Sequence, residues 1–147
     1  MNEVRFFGGF IMSKIYYPAV FHIAEDIGGY WVEFPDLPGC VTQGHDDLEA
    51  MEMAEDALGT WLDHSNEDFE SEILPPSSCA EIRSRFPDEL VMMIGCDPEE
   101  YYRKTHSKAI KKTLTIPEWL NERAIKANLN FSQILQEALM NKLDLTK

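Results

Sequence analysis

Four histidines and three cysteines are the side chains here best suited to holding a metal or attacking an electrophile, and their spacing argues against both uses. His22, His45, His64 and His106 stand in unrelated contexts, with no His-x-x-x-His repeat and no Glu-flanked pair, so surface or turn positions are expected over metal ligation. Cys40, Cys79 and Cys96 are odd in number and widely spaced, which fits neither a disulfide framework nor a structural zinc site and suits a reducing cytoplasm. Cys40 ends a Gly-containing turn with no base beside it, so a small buried side chain is expected there, not a nucleophile. No cofactor and no metal are expected. Asp36, in Pro35-Asp36-Leu37-Pro38-Gly39, could cap its own turn or reach a basic groove on a partner; the turn is the preferred role.

The remaining chemistry is electrostatic, and it divides the chain. Residues 1–105 hold 22 Asp and Glu against 6 Lys and Arg, a net of −16, whereas residues 106–147 hold 4 against 7, a net of +3. A net-positive tail is drawn to a phosphate backbone, and so acidic a body is repelled by it and suits a basic protein. With 147 residues the chain allows one domain of about 100 residues and a small appendage. No segment reaches the roughly 18 to 20 apolar residues of a membrane helix, so no membrane partner is expected. Residues 1–13, with an apolar patch from Phe6 to Met12, read as an upstream extension, with Met12 an alternative start or the patch an added edge strand.

The elements that position these groups follow from periodicity. Ile15–Ala24 and Tyr30–Phe34 read as a hairpin turning at Glu25–Gly29, and Cys40–Gln43 as a short third strand closed by Gly44. Asp46 caps a helix with Glu49 three residues on; Leu48, Met51, Ala54, Leu58, Trp61 and Leu62 are its expected buried face, and Glu49, Glu52, Asp56 and Asp63 its solvated one. Ile73-Leu74-Pro75-Pro76 is an extended break, Glu89–Cys96 a fourth strand, and Asp97-Pro98-Glu99-Glu100 a fresh helix start.

In the tail, Thr113 to Ile116 alternate, sending Leu114 and Ile116 to one face and Thr113 and Thr115 to the other. Pro117 ends that strand and opens a helix through Leu120, Ala124 and Ala127. After Asn128-Leu129-Asn130, a second helix carries Ile134, Leu135, Ala138, Leu139 and Leu143 on a broad apolar face, with Asn130 and Gln133 as a capping box. Segments of roughly 40 residues or fewer usually cannot bury enough surface alone, so this one needs a partner.

The order strand, Pro, helix, Asn-rich turn, helix resembles the ribbon-helix-helix family of DNA-binding proteins. The resemblance implies an intertwined homodimer, or a higher even-numbered oligomer, with Leu114, Ile116, Leu120, Ile134, Leu135 and Leu139 in a shared core. It also implies a ribbon turning Lys111, Thr113 and Thr115 toward the bases of operator DNA. Asn130, Phe131 and Ser132 would then offer amides to a phosphate. Lys112 departs from the inward alternation, so the ribbon is expected to start at Thr113.

The stretch Gly28–Ser65, with Phe-Pro-Asp-Leu-Pro-Gly-Cys at 34–40 and an Ala-rich helix carrying Trp61, is similar to the signature of HicB antitoxins. The resemblance implies an α+β protein: a β-β-β-α-β truncated RNase H-like domain over residues 14–103, a linker over 104–110, and a ribbon-helix-helix dimerisation domain over 111–147. The implied partner is a HicA-type toxin, a small basic protein that cleaves messenger RNA, and the implied function is to inhibit it and repress the shared operon. Asp36, Glu49, Glu52 and Asp56 are candidate toxin contacts. Catalysis is not expected, because a two-metal RNase H-like site needs a carboxylate in the centre of the first strand, and Ile15–Ile23 offers only His22. The other reading of the same residues is a stand-alone dimeric repressor whose body senses a small molecule.

Overall fold

Branched and aromatic residues fill Ile15–Ile23, and this segment forms β1, a nine-residue strand at the centre of the first folded unit. The computed structural model describes residues 14–26, 28–63 and 74–145; the patch at Phe6–Met12, His64 and Ile73 lie outside them. After β1 come β2 (Tyr30–Glu33), β3 (Val41–Gly44), α1 (Asp47–Leu62), α2 (Cys79–Arg85), β4 (Leu90–Cys96) and α3 (Pro98–Thr105). The four strands form one antiparallel sheet in the order β3-β2-β1-β4. The β1–β2 turn depends on Gly29, whose φ is +110° and whose place for a Cβ lies 2.2 Å from the Gly44 carbonyl oxygen.

Strand alternation gives the sheet two working faces. Tyr17, Ala19 and Phe21 of β1 join Val32, Phe34, Leu37, Ile94 and the α1 residues Ala50, Ala54, Leu58 and Leu62 in one buried cluster. Pro18, Val20 and His22 point the other way, toward the side on which α2 supplies the fully buried Ile82. Pro18 sits where β1 has a single neighbour, because β2 pairs only from Val20 onward, so its missing amide hydrogen can face away from the ladder.

Two differences from the sequence reading concern helices. The buried stripe of α1 runs Ala50, Ala54, Leu58 and Leu62, while Leu48 and Met51 are 67% and 45% exposed. Small alanines let the helix axis approach the sheet closely, and the bulkier Leu48 and Met51 on either side of Ala50 are left outside. The second difference is α2, which follows the extended Pro75-Pro76 break. It has a complete capping box, with Ser78 accepting from the Glu81 amide at 3.2 Å and Glu81 accepting from the Ser78 amide at 2.7 Å. The first unit therefore runs β-β-β-α-α-β-α.

The second unit begins at Ala109. It contains α4 (Glu118–Lys126) and α5 (Phe131–Lys142), joined through Asn128 at a φ of 53°. Residues 113–116 form no ladder in the single chain. A strand exists by sharing hydrogen bonds with a neighbour, and among the described residues of this unit no second segment pairs with it. Helix α3 continues through Thr105, so Lys104 and Thr105 of the expected linker are helical.

Candidate interaction surfaces

The second unit exposes what a folded domain normally hides. Neither α4 nor α5 contains a buried residue. Leu114 is 61% exposed and Leu139 52%, and Ile116, Leu120 and Ile134 each exceed two-fifths, while Leu135 is half-buried. Helices of nine and twelve residues are at or below the length that persists unaided in water, so this apolar stripe must be covered for the unit to be stable.

Lys111, Thr113 and Thr115 are exposed on the irregular segment ahead of α4. At the start of α5, Asn130 accepts from the Gln133 amide at 3.1 Å. The expected capping box is half-formed, because the Gln133 side chain donates instead to Glu137 at 2.8 Å. With Gln133 capped, the amides of Phe131 and Ser132 are first-turn donors that the helix itself does not use.

The four acidic candidates on the body do not form one patch. Asp36 is 8% exposed, and its two carboxylate oxygens accept from the Ser77 amide at 2.8 Å and the Ser77 hydroxyl at 2.7 Å. It clamps a distant segment and does not cap its own turn. Nearby, the Tyr17 hydroxyl donates to the Leu74 carbonyl at 2.6 Å, so one stretch is pinned twice; burial, and then the Asp36 charge, raise the Tyr17 pKa. Glu49 accepts from the His45 amide at 2.7 Å. Glu52 and Asp56 stand on the outer face of α1, and Asp56 accepts from the Tyr101 hydroxyl at 3.1 Å.

That last bond belongs to a feature the sequence did not reveal. α3 docks on α1 with the Tyr101 ring where a Gly59 side chain would be; a Cβ there would lie 2.4 Å from the ring. Beside this contact opens a groove of about 530 Å³. Its lining includes Glu52, Glu55, Asp56, Asp97 and Glu100 against Lys14 and Lys104, a net of −3. The outer face of α1, the end of β4, Lys14 and the docked α3 assemble it together.

His22 is also better enclosed than its sequence context suggests. It stacks on Trp31 with centroids 3.9 Å apart and lies 2.9 Å from Glu33 and 3.3 Å from Glu89. Among the described residues no group of three or more His, Cys, Asp or Glu side chains is arranged to hold a metal ion.

The cysteines behave as packing residues. Cys40 is buried with its Sγ 3.6 Å from the Ala57 carbonyl oxygen, and burial pushes its thiol up to about 12. Cys96 is pushed to about 11, first by burial and then by Glu55 and Asp97. At pH 8 iodoacetamide should therefore label the half-buried Cys79 in the native protein and reach Cys40 and Cys96 only after unfolding, as read by mass spectrometry of the intact chain. Rapid native labelling of Cys40 would contradict this packing.

A family profile described as the HicB_like antitoxin of bacterial toxin-antitoxin system matches residues 17–139, across both units. The chain belongs to the HicB-like antitoxin family. It is 46% identical over 66 residues to antitoxin HicB 1 of Photorhabdus laumondii subsp. laumondii, covering 45% of this chain and 42% of that protein. It is 48% identical over 59 residues to antitoxin HicB of Escherichia coli K12, covering 40% and 42%. The matched stretch thus spans less than half the length of either relative. A chain of a toxin-antitoxin complex from Streptococcus pneumoniae superposes with a TM-score of 0.51 at 32% identity, covering 88% of this chain and 99% of that one. This chain's mixed α and β architecture, a four-stranded antiparallel sheet with five helices among the described residues, is thus similar to that of a solved chain of a toxin-antitoxin complex. No helix among the described residues is long and apolar enough to cross a membrane.

Proposed function

We propose that this chain is the antitoxin of a cytoplasmic toxin-antitoxin pair, in which the acidic body binds and inhibits a small, basic, mRNA-cleaving toxin of the HicA type. The body is read as a truncated RNase H-like domain without catalysis. The tail is read as a ribbon-helix-helix arm: two copies pair their 113–116 segments, bury Leu114, Ile116, Leu120, Ile134, Leu135 and Leu139 between them, and repress the operon from promoter DNA. The observation that carries this reading is a HicB-like chain whose second unit buries no residue of either helix. The net charge of +3 over residues 106–147 suits a phosphate backbone, and the −16 of residues 1–105 suits a basic toxin.

Co-expression with a small, basic HicA-type toxin tests the body. A stoichiometric complex without ribonuclease activity is expected, and free toxin with full activity would refute the reading. For the arm, Thr113→Ala combined with Thr115→Ala should weaken operator binding roughly tenfold or more while the dimer persists, since each lost base contact is worth about 1–3 kcal/mol. Unchanged affinity at fixed salt in a filter-binding or anisotropy titration would place the reading face elsewhere.

A further inference from the structure

The sheet ends on two very different edges. β3 has four residues, too short to template much pairing, whereas β4 presents seven uncharged residues, Leu90 to Cys96. Among the described residues β4 pairs only with β1, so its outer edge keeps unshared amide and carbonyl groups. Exposed side chains flank those groups on both faces: Leu90 on the α1 side and Met93, 43% exposed, on the α2 side. Long, apolar, uncharged edges are usually blunted by lysine, proline or a bulge, and β4 has none of these side chains. The edge also runs directly into the acidic groove, since Cys96 ends β4 and both Cys96 and Asp97 line it.

We propose that the outer edge of β4 and the α1–α3 groove form one docking surface for an extended segment of the partner protein. The segment adds a fifth strand antiparallel to β4, and its basic leading residues enter the groove among the five carboxylates. This rests on the partner being a basic protein. Antiparallel pairing matches the rest of the sheet and sets the order of the ligand, because the start of an antiparallel strand lies beside Cys96. A second copy of this chain is the poorer occupant. Pairing two β4 edges about a two-fold axis would lay Asp97 and Glu100 of each copy near Asp88 and Glu89 of the other, like charge against like at both ends.

Three synthetic peptides test this on the full-length protein: Arg-Lys-Arg-Val-Thr-Val-Ile-Val, the same apolar run with the basic triplet last, and the same run led by Glu-Asp-Glu. Hydrogen exchange should show the basic-first peptide slowing amides within 90–96, with affinity at least tenfold above either control. Met93→Lys and Glu52→Lys should each weaken that peptide about tenfold while leaving the thermal midpoint near that of the parent. Equal binding of all three peptides, protection outside β4, or β4 protection that grows with protein concentration alone would overturn the proposal. Loss of peptide binding alongside an intact complex with the HicA-type toxin would remove this surface and leave the antitoxin reading standing. Loss of both would remove both.

Discussion

Leu114→Asp is expected to convert the protein from a dimer into a monomer by light scattering and to abolish operator binding, with the body still folded. Leu114 lies on the face that alternation assigns to the proposed shared interior, and at 61% exposed in the single chain it is open to a second copy. A carboxylate in that interior costs about 2 kcal/mol or more without a partner, and a symmetric dimer carries two of them. A total of about 4 kcal/mol corresponds to roughly a thousandfold in the dissociation constant. The consequence reaches past association. Because α4 and α5 bury nothing by themselves, the monomeric variant should also lose tail helicity, visible as a smaller far-ultraviolet dichroism signal. Leu114→Ile is the control, keeping volume and polarity. A Leu114→Asp protein that remains dimeric with full helicity would mean that another surface holds the subunits together.

The sequence carried the order of strands and the two-part charge division because both are local properties. The turn at Glu25–Gly29, the Pro-rich break after Phe34 and the cap at Asp46 were each written in residues with narrow conformational preferences; β1, β2, β3 and β4 start and end within a residue of their expected bounds, and α1 starts directly after its expected cap. What escaped was relational. The α2 helix had a readable signal in Ser78-x-x-Glu81 with Ile82 behind it, but one turn of capping chemistry after Pro75-Pro76 is easily taken for loop. The face of α1 was displaced because counting large apolar residues favours Leu48 and Met51 over alanines, while the sheet selects whatever lets the helix come closest. The groove between α1 and α3, and the two glutamates around His22, join residues far apart in the chain. No periodicity could have announced them. Residues 113–116 are the opposite case: their alternation was legible, but the ladder that would make them a strand requires a second chain.

Asp36→Ala is expected to destabilise the body more than any other single change at an acidic candidate. The carboxylate is almost fully enclosed and takes both the amide and the hydroxyl of Ser77, two charge-assisted bonds across 41 positions of sequence. Such bonds contribute about 1.5–3 kcal/mol each, but Ser77 is only half-buried and water can partly replace what is lost, so a total near 2–3 kcal/mol is reasonable. For a unit of this size that lowers the melting temperature by roughly 10–20 °C. Ser77→Ala removes the hydroxyl bond and leaves the amide bond, so it should cost about half as much. The double variant should cost less than the sum of the two, because each removes a partner of the other. This cycle separates the two roles Asp36 could have. A residue kept for the toxin would leave the melting temperature unchanged and weaken the complex. A clamp would lower the melting temperature, couple to Ser77, and affect toxin binding only in proportion to the fraction of body unfolded. Since Tyr17 holds Leu74 three residues upstream of Ser77, the clamp outcome also predicts that Tyr17→Phe lowers the midpoint, by less than Asp36→Ala, through the loss of one hydroxyl bond to the same segment.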